Sequence, residues 1–257
     1  MEYTGLMLRW IRQLPMVIVA FFIFGVVDSH GEGPLDRKIK IVLVGDSTVN
    51  DGSGWGPGFK KLLTQRVECT NLAANGRSTM SFMKEGRWTN ALALKADYYL
   101  IQFGHNNEPG KPGRSTDMPT FVSDIKKYVE DVQRAGAKPI LLTPLTRRQW
   151  DKTERGRIKS SLAPYAEEVK RIGAEQKVPV IDLHSRSIEV CEKLGREKCL
   201  EFSPMKVVDG TNTVDNTHLN EKGSVLFGRV VAKELVNLVP ELKPYFRLEA
   251  EASRDGQ

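Results

Sequence analysis

Four short stretches hold residue types that could act together as chemistry. Gly45-Asp46-Ser47 closes the apolar run Ile41-Val42-Leu43-Val44. Asn75-Gly76-Arg77-Ser78 comes just after a run at 67–72, and Gly104-His105-Asn106-Asn107 just after another at 98–103. Asp215 and His218 stand three residues apart, ahead of Gly223. A serine hydroxyl is a poor nucleophile until a base takes its proton. His218 is a base of the right kind, and Asp215 can hold its imidazole in the needed tautomer and stabilise the cation. The backbone N–H groups of Ser47 and Gly76 and the side-chain amide of Asn106 are donors suited to a tetrahedral oxyanion. Losing one such donor typically costs roughly 10²–10³ in rate. The catalytic expectation is therefore Ser47, Asp215 and His218, with an oxyanion hole of Ser47, Gly76 and Asn106.

Each stretch also has a plainer reading. Ser47 can cap a helix, and Asp215 can close an Asx turn. Gly76 can serve only a left-handed turn, and Asn106 can hold its loop without touching substrate. What favours chemistry is position: each of the first three stretches follows a strand-like run. Such runs lie at 38–44, 67–72, 98–103, 138–142 and 178–182. Helical periodicity falls at 56–63, 120–134, 163–175 and 223–238; in the second of these, Phe121, Val122, Ile125, Tyr128, Val129 and Val132 share a face. Alternating strands and helices predict an α/β fold. The expected form is a three-layer α/β/α sandwich around a five-stranded parallel sheet of flavodoxin-like order 2-1-3-4-5. In that order strands two and three flank strand one, so Gly76 and Asn106 should sit on either side of Ser47. The active crevice of such a sheet lies beyond the carboxyl ends of its strands. The segment 184–216 reads as a long irregular connection, of the kind that is often functional.

Together the four blocks resemble those of the SGNH/GDSL hydrolases, over about residues 38–238. GDSTV, NGRST, QFGHNN and DNTHLNEKG are similar to the rhamnogalacturonan acetylesterase group within them. That resemblance implies a secreted esterase that removes acetyl groups from pectic polysaccharide, without metal or cofactor. One position departs from the pattern. The third block usually ends Gly-His-Asn-Asp, and here Asn107 stands for the aspartate. On the substrate side, Trp55, Arg77, Arg147 and Arg148 fall on loops near strand ends. An arginine can pair bidentately with a uronate, and an aromatic ring can stack on a sugar face, so these four are the expected substrate contacts.

Composition sets the outer bounds. The chain has 257 residues, 40% hydrophobic and 27% charged, with a net charge of +6. One domain over 38–240 fits that length. The mild basic excess suits an acidic polysaccharide or an anionic surface equally well, and no Lys/Arg block marks a nucleic-acid arm. Residues 1–31 carry Arg9 and Arg12 ahead of an apolar run at 14–27, the order of a secretory signal peptide or an N-terminal anchor. A secreted or periplasmic monomer is expected, with no other membrane contact. Residues 245–257 read as a charged tail. Cys191 and Cys199 bracket a short polar stretch and are a candidate disulfide in an exported protein; Cys69 reads as a small buried residue. No cofactor is expected: no phosphate-binding glycine loop follows strand one, and no Cys/His spacing suggests zinc. The rivals are an esterase or lipase on other acyl esters, and a non-catalytic carbohydrate-binding scaffold.

Overall fold

The computed structural model describes residues 37–152 and 156–248. The expected N-terminal signal or anchor therefore lies outside the described residues, as does the tail beyond 248. Five parallel strands form the main sheet: β1 (Ile39–Gly45), β2 (Val67–Asn71), β3 (Tyr98–Gln102), β4 (Lys138–Leu142) and β5 (Val180–Ile181). Their order is β2-β1-β3-β4-β5, as the sequence predicts. Among the described residues eight α-helices accompany them: α1 (Gly56–Lys60), α2 (Thr79–Lys84), α3 (Arg87–Ala93), α4 (Met118–Arg134), α5 (Ala163–Gln176), α6 (Leu183–Leu194), α7 (Arg196–Leu200) and α8 (Glu221–Leu238).

The strands read as unbroken apolar runs because both faces of the sheet are covered. Ile39, Ile41 and Leu43 of β1 point into one layer, with Phe59 of α1 and Phe227, Val231 and Leu235 of α8. Val42 and Val44 point into the other, with Phe82 of α2 and Phe121, Ile125, Tyr128 and Val129 of α4. Buried aromatics of this kind typically cost about 3–5 kcal/mol when cut to alanine. Helix α4 starts where Asp117 accepts a hydrogen bond from the Thr120 N–H at 2.8 Å. Helix α8 starts at Asn220, whose carbonyl oxygen accepts from the Gly223 N–H at 3.0 Å. Between α1 and α8 there is no room for side chains: a Cβ on Gly58 would run into the Ser224 carbonyl, and one on Gly228 into the Phe59 nitrogen. Two glycines thus let α1, and the loop leading from Ser47 into it, lie against the helix that follows His218.

Several boundaries differ from the sequence expectation. β5 has only two residues, because Pro179 lacks a donor and Asp182 already caps α6 through the Ser185 N–H. The segment 184–216 is not irregular. It holds most of α6, all of α7, and an antiparallel hairpin of β6 (Met205–Val208) and β7 (Thr211–Val214). Cys191 and Cys199 therefore sit on two helices rather than on a loop; they are disulfide-bonded, with Cα atoms 5.3 Å apart. Cys69 is free and half-buried. The body also continues past 240. A 3₁₀ turn at Pro240–Tyr245 leads to Phe246, 8% exposed, which bridges to Leu63. Residues 245–248 are thus part of the packed domain and not tail. Among the described residues no helix is long and apolar enough to cross a membrane.

Candidate active site

The carboxyl ends of β1, β2 and β3 converge as the strand order requires. Gly45 pairs with Gln102 across β1 and β3, and the Ala74 N–H beyond β2 donates to the Gly45 carbonyl. Ser47 is set on the turn after β1 by an internal network. Asp46 accepts from the Thr48 N–H at 2.8 Å and the Thr48 hydroxyl at 2.7 Å. Its other oxygen lies 3.4 Å from His105 Nδ1, and both side chains are buried. Burial alone would raise the Asp46 carboxyl. The adjacent His105 and the bonds from Thr48 outweigh that and hold it below the usual carboxylate range. The Ser53 hydroxyl donates to the Ser47 carbonyl at 2.9 Å.

His218 reaches this turn from the far side. Its Nε2 lies 2.8 Å from Ser47 Oγ and its Nδ1 2.8 Å from Asp215 Oδ2. Asp215 Oδ1 accepts from the backbone N–H groups of Thr217 and His218, at 2.8 and 3.0 Å. Burial opposes ionisation of Asp215. The bonds from His218 and Thr217 dominate and bring its pKa down to about 2. At neutral pH an ionised carboxylate thus faces the ring nitrogen opposite the serine. That arrangement can fix the tautomer in which Nε2 is free to accept the hydroxyl proton.

Gly76 and Asn106 follow β2 and β3, the strands on either side of the one that leads to Ser47. Gly76 has φ of 73°, the left-handed region that favours glycine. Asn106 is 8% exposed, and its Nδ2 donates to the Arg77 carbonyl at 3.1 Å. An amide nitrogen has two protons, so one donor remains. Among the described residues the N–H groups of Ser47 and Gly76 make no hydrogen bond. Asn107 points away from the crevice. Its Nδ2 donates to the hydroxyls of Thr79 and Thr116, at 2.8 and 2.9 Å.

None of the four expected substrate contacts faces the crevice as a free group. Trp55 is fully buried and donates from Nε1 to Gln102 at 2.9 Å; Gln102 in turn donates to the Thr48 hydroxyl at 2.7 Å. It buttresses the serine turn from within the core. Arg77 turns aside to Glu85, at 2.9 Å. Arg147 forms a bidentate pair with Glu108, at 2.9 and 2.6 Å. Burial works against the Glu108 carboxylate, but Arg147, Ser161 and Lys111 draw its pKa down to about 2. Arg148 is 1% exposed. It donates to Ser203 Oγ at 2.8 Å, to the Asp215 carbonyl at 3.2 Å, and to the His218 carbonyl. These contacts cross between elements far apart in sequence, so no local pattern could have shown them. Among the described residues no group of three or more His, Cys, Asp or Glu side chains is arranged to hold a metal ion.

Comparison with known proteins agrees with this geometry. The pattern of the GDSL-like Lipase/Acylhydrolase family matches residues 43–226, which include all four blocks. The rhamnogalacturonan acetylesterase RhgT of Bacillus subtilis is 34% identical over 238 residues, covering 87% of this chain and 98% of its own length. A second Bacillus subtilis protein, named a probable rhamnogalacturonan acetylesterase, YesY, is 32% identical over 209 residues, 77% of this chain and 93% of its own. The crystal structure of the Bacillus subtilis protein YXIM overlaps with a TM-score of 0.65 at 24% identity, over 78% of this chain and 57% of that one. Motifs, strand order and relatives converge, and the chain belongs to the GDSL-like lipase/acylhydrolase family, the SGNH hydrolases.

Proposed function

We propose that the protein is an exported serine esterase that removes O-acetyl groups from polysaccharide, with pectic rhamnogalacturonan as its polymer. The observation that carries the mechanism is the hydrogen-bonded line from Ser47 through His218 to Asp215. Ser47 Oγ attacks the acetyl carbonyl carbon while His218 Nε2 takes its proton. The oxyanion lies among the N–H groups of Ser47 and Gly76 and the Asn106 amide. The bond to the sugar oxygen breaks, and that oxygen takes the proton back from His218. Water then attacks the acetyl-serine, passes a proton to His218, and acetate leaves as Ser47 regains its hydrogen. Asp215 stays ionised and steadies the imidazolium at each half-reaction.

Support for the substrate comes from the names of the two Bacillus subtilis relatives and, more weakly, from the net charge of +6. Support for export comes from the basic and then apolar order of residues 1–31. The test is acetate release from acetylated rhamnogalacturonan and from acetylated xylan, with Ser47→Ala alongside. Release from the pectic polymer that disappears in the variant is the expected result. Release from xylan alone would keep the serine mechanism and discard the pectic assignment. No release from either polymer, nor from a short acyl ester, would overturn the enzyme reading and favour a binding scaffold.

A further inference from the structure

We propose that Arg114 reads a carboxylate on the substrate, so that the site selects acetyl esters borne by, or next to, an acidic sugar. The inference rests on the esterase reading above and deepens it, since that reading names no residue that recognises charge. Three observations carry it.

The first is place. A Cβ built on Gly76 would meet Arg114 Nη1 at 2.9 Å. The guanidinium therefore lies directly over the glycine whose N–H is a candidate oxyanion donor. The second is unspent charge. The other cations around the crevice are all engaged: Arg77 with Glu85, Arg147 with Glu108, Lys111 with Glu108 and the His105 carbonyl, and Arg148 with Ser203 and two carbonyls. The half-buried side chain of Arg114 has no hydrogen bond or ion pair among the described residues. A guanidinium that is partly stripped of water and unpaired gains most from an arriving anion.

The third is presentation. Arg114 rides on a short loop pinned at both ends. The Thr116 N–H donates to the Asn107 carbonyl at 3.0 Å, and the Arg114 and Ser115 N–H groups donate to the Lys111 carbonyl at 3.0 and 2.9 Å. The Ser115 hydroxyl donates to the Glu108 carbonyl at 2.7 Å and accepts from the Lys111 N–H at 2.8 Å. The loop thus grows out of the third block itself, and holds a planar five-donor fork beside the place where the acetyl group must sit. A carboxylate matches that fork in two parallel hydrogen bonds; a neutral sugar hydroxyl does not. The developing oxyanion is the other negative charge that a bound ester brings to the site, and it is distinguishable, since it forms on every ester whatever the sugar's charge.

The experiment compares acetylated rhamnogalacturonan oligosaccharides with the same oligosaccharides after reduction of their carboxyl groups to alcohols. Full-length wild type, Arg114→Gln and Arg114→Lys are assayed on both. The wild type should favour the acidic form roughly 10- to 100-fold in kcat/KM, mostly through KM, which is the range of one charge-assisted contact. Arg114→Gln should bring that ratio close to one, and Arg114→Lys, which keeps a point charge, should retain part of it. An equal fall on both forms, carried in kcat, would overturn the proposal and assign Arg114 to the oxyanion. A wild type with no preference would overturn it as well, while leaving the esterase reading intact. Calorimetry on Ser47→Ala separates the two ideas. If that variant binds the acidic oligosaccharide, and binding is lost on adding Arg114→Gln, Arg114 stands even in a protein that releases no acetate. If the two bind alike, it does not.

Discussion

At the scale of single residues, the most informative position is the one where the sequence departs from its family. Asn107 replaces the aspartate that usually ends the third block, and Thr79 explains the replacement. The Thr79 hydroxyl gives its one proton to Asp124 Oδ2, at 2.6 Å. Its oxygen can therefore only accept from the buried side chain at 107, and Asn107 Nδ2 is the donor, at 2.8 Å. An aspartate here could take the proton of the Thr116 hydroxyl, but it would still face Asp124 across the Thr79 hydroxyl, whose single proton cannot serve both carboxylates. Asp124, already raised by burial against the bond from Thr79, would be pushed further in the same direction. Asn107→Asp should then destabilise the fold by about 1–3 kcal/mol, the cost of a buried group left without its partner. The pH dependence has a definite sign. A carboxyl whose folded pKa lies above its unfolded value costs stability as pH rises past the unfolded pKa, so the melting-temperature gap to wild type should widen between pH 4 and pH 7. Adding Asp124→Asn should close it. A gap that stays constant with pH would show that the loss is one of shape and not of charge.

At the scale of elements, the Asp215–His218 turn is held by the loop after β4, a strand that contributes neither Ser47, Asp215 nor His218. Arg148 clamps the carbonyls of both Asp215 and His218 while its own N–H donates to the Asn216 carbonyl at 2.8 Å. Burial draws its guanidinium down to about 10, which leaves it charged at neutral pH. Arg148→Met should lower kcat about 10- to 100-fold with little change in KM, because the turn loses its register against Ser47 while the binding surface remains. Arg148→Lys should not restore it, since one ammonium cannot span Ser203 and two carbonyls; steady-state kinetics on a small acyl ester would show recovery if the clamp were a matter of charge alone. This residue marks where the sequence stops being legible. The parallel order, the blocks that bring Ser47, Gly76, Asn106, Asp215 and His218 together, and the long helices α4, α5 and α8 all follow from apolar period and from what comes after each strand. Arg148 and Trp55 do not, because exposure near a strand end and burial behind it look alike until the loops are folded. The short helices α2 and α3 have too few turns for their periodicity to stand out. The β6–β7 hairpin does carry a local sign in the sequence. Asp209-Gly210, with φ of 49° and 73°, is a two-residue pair suited to a tight hairpin turn, set between Val207-Val208 and Thr211.

At the scale of the whole molecule, charge is distributed unevenly over the fold. Carboxylates held below their usual range occur at several places, Asp131 on α4 among them, but the two brought down to about 2, Glu108 and Asp215, lie with the buried Asp46 at the carboxyl edge, where the crevice lies. A carboxylate whose folded pKa lies below its unfolded value contributes stability that is complete above the unfolded pKa, near 4, and is lost as pH falls through the folded one. For Glu108 and Asp215 that window runs from about 4 down to about 2. Protonation over the same range adds to a net charge already at +6, so self-repulsion acts in the same direction. Acid should therefore open the protein from its active edge. Activity should fail before helical content does, because the Arg147–Glu108 pair and the Asp215–His218 turn loosen while α4 and α8 stay packed. Far-ultraviolet circular dichroism and ester turnover, followed together from pH 5 to pH 2, should show the activity loss leading. Glu108→Gln removes one of these carboxylates, so its melting temperature should start lower at pH 7 and fall less steeply below pH 4. Parallel slopes for variant and wild type would place the acid-sensitive groups elsewhere in the fold. The Arg147–Glu108 pair would then have no part in setting how far into acid the protein survives.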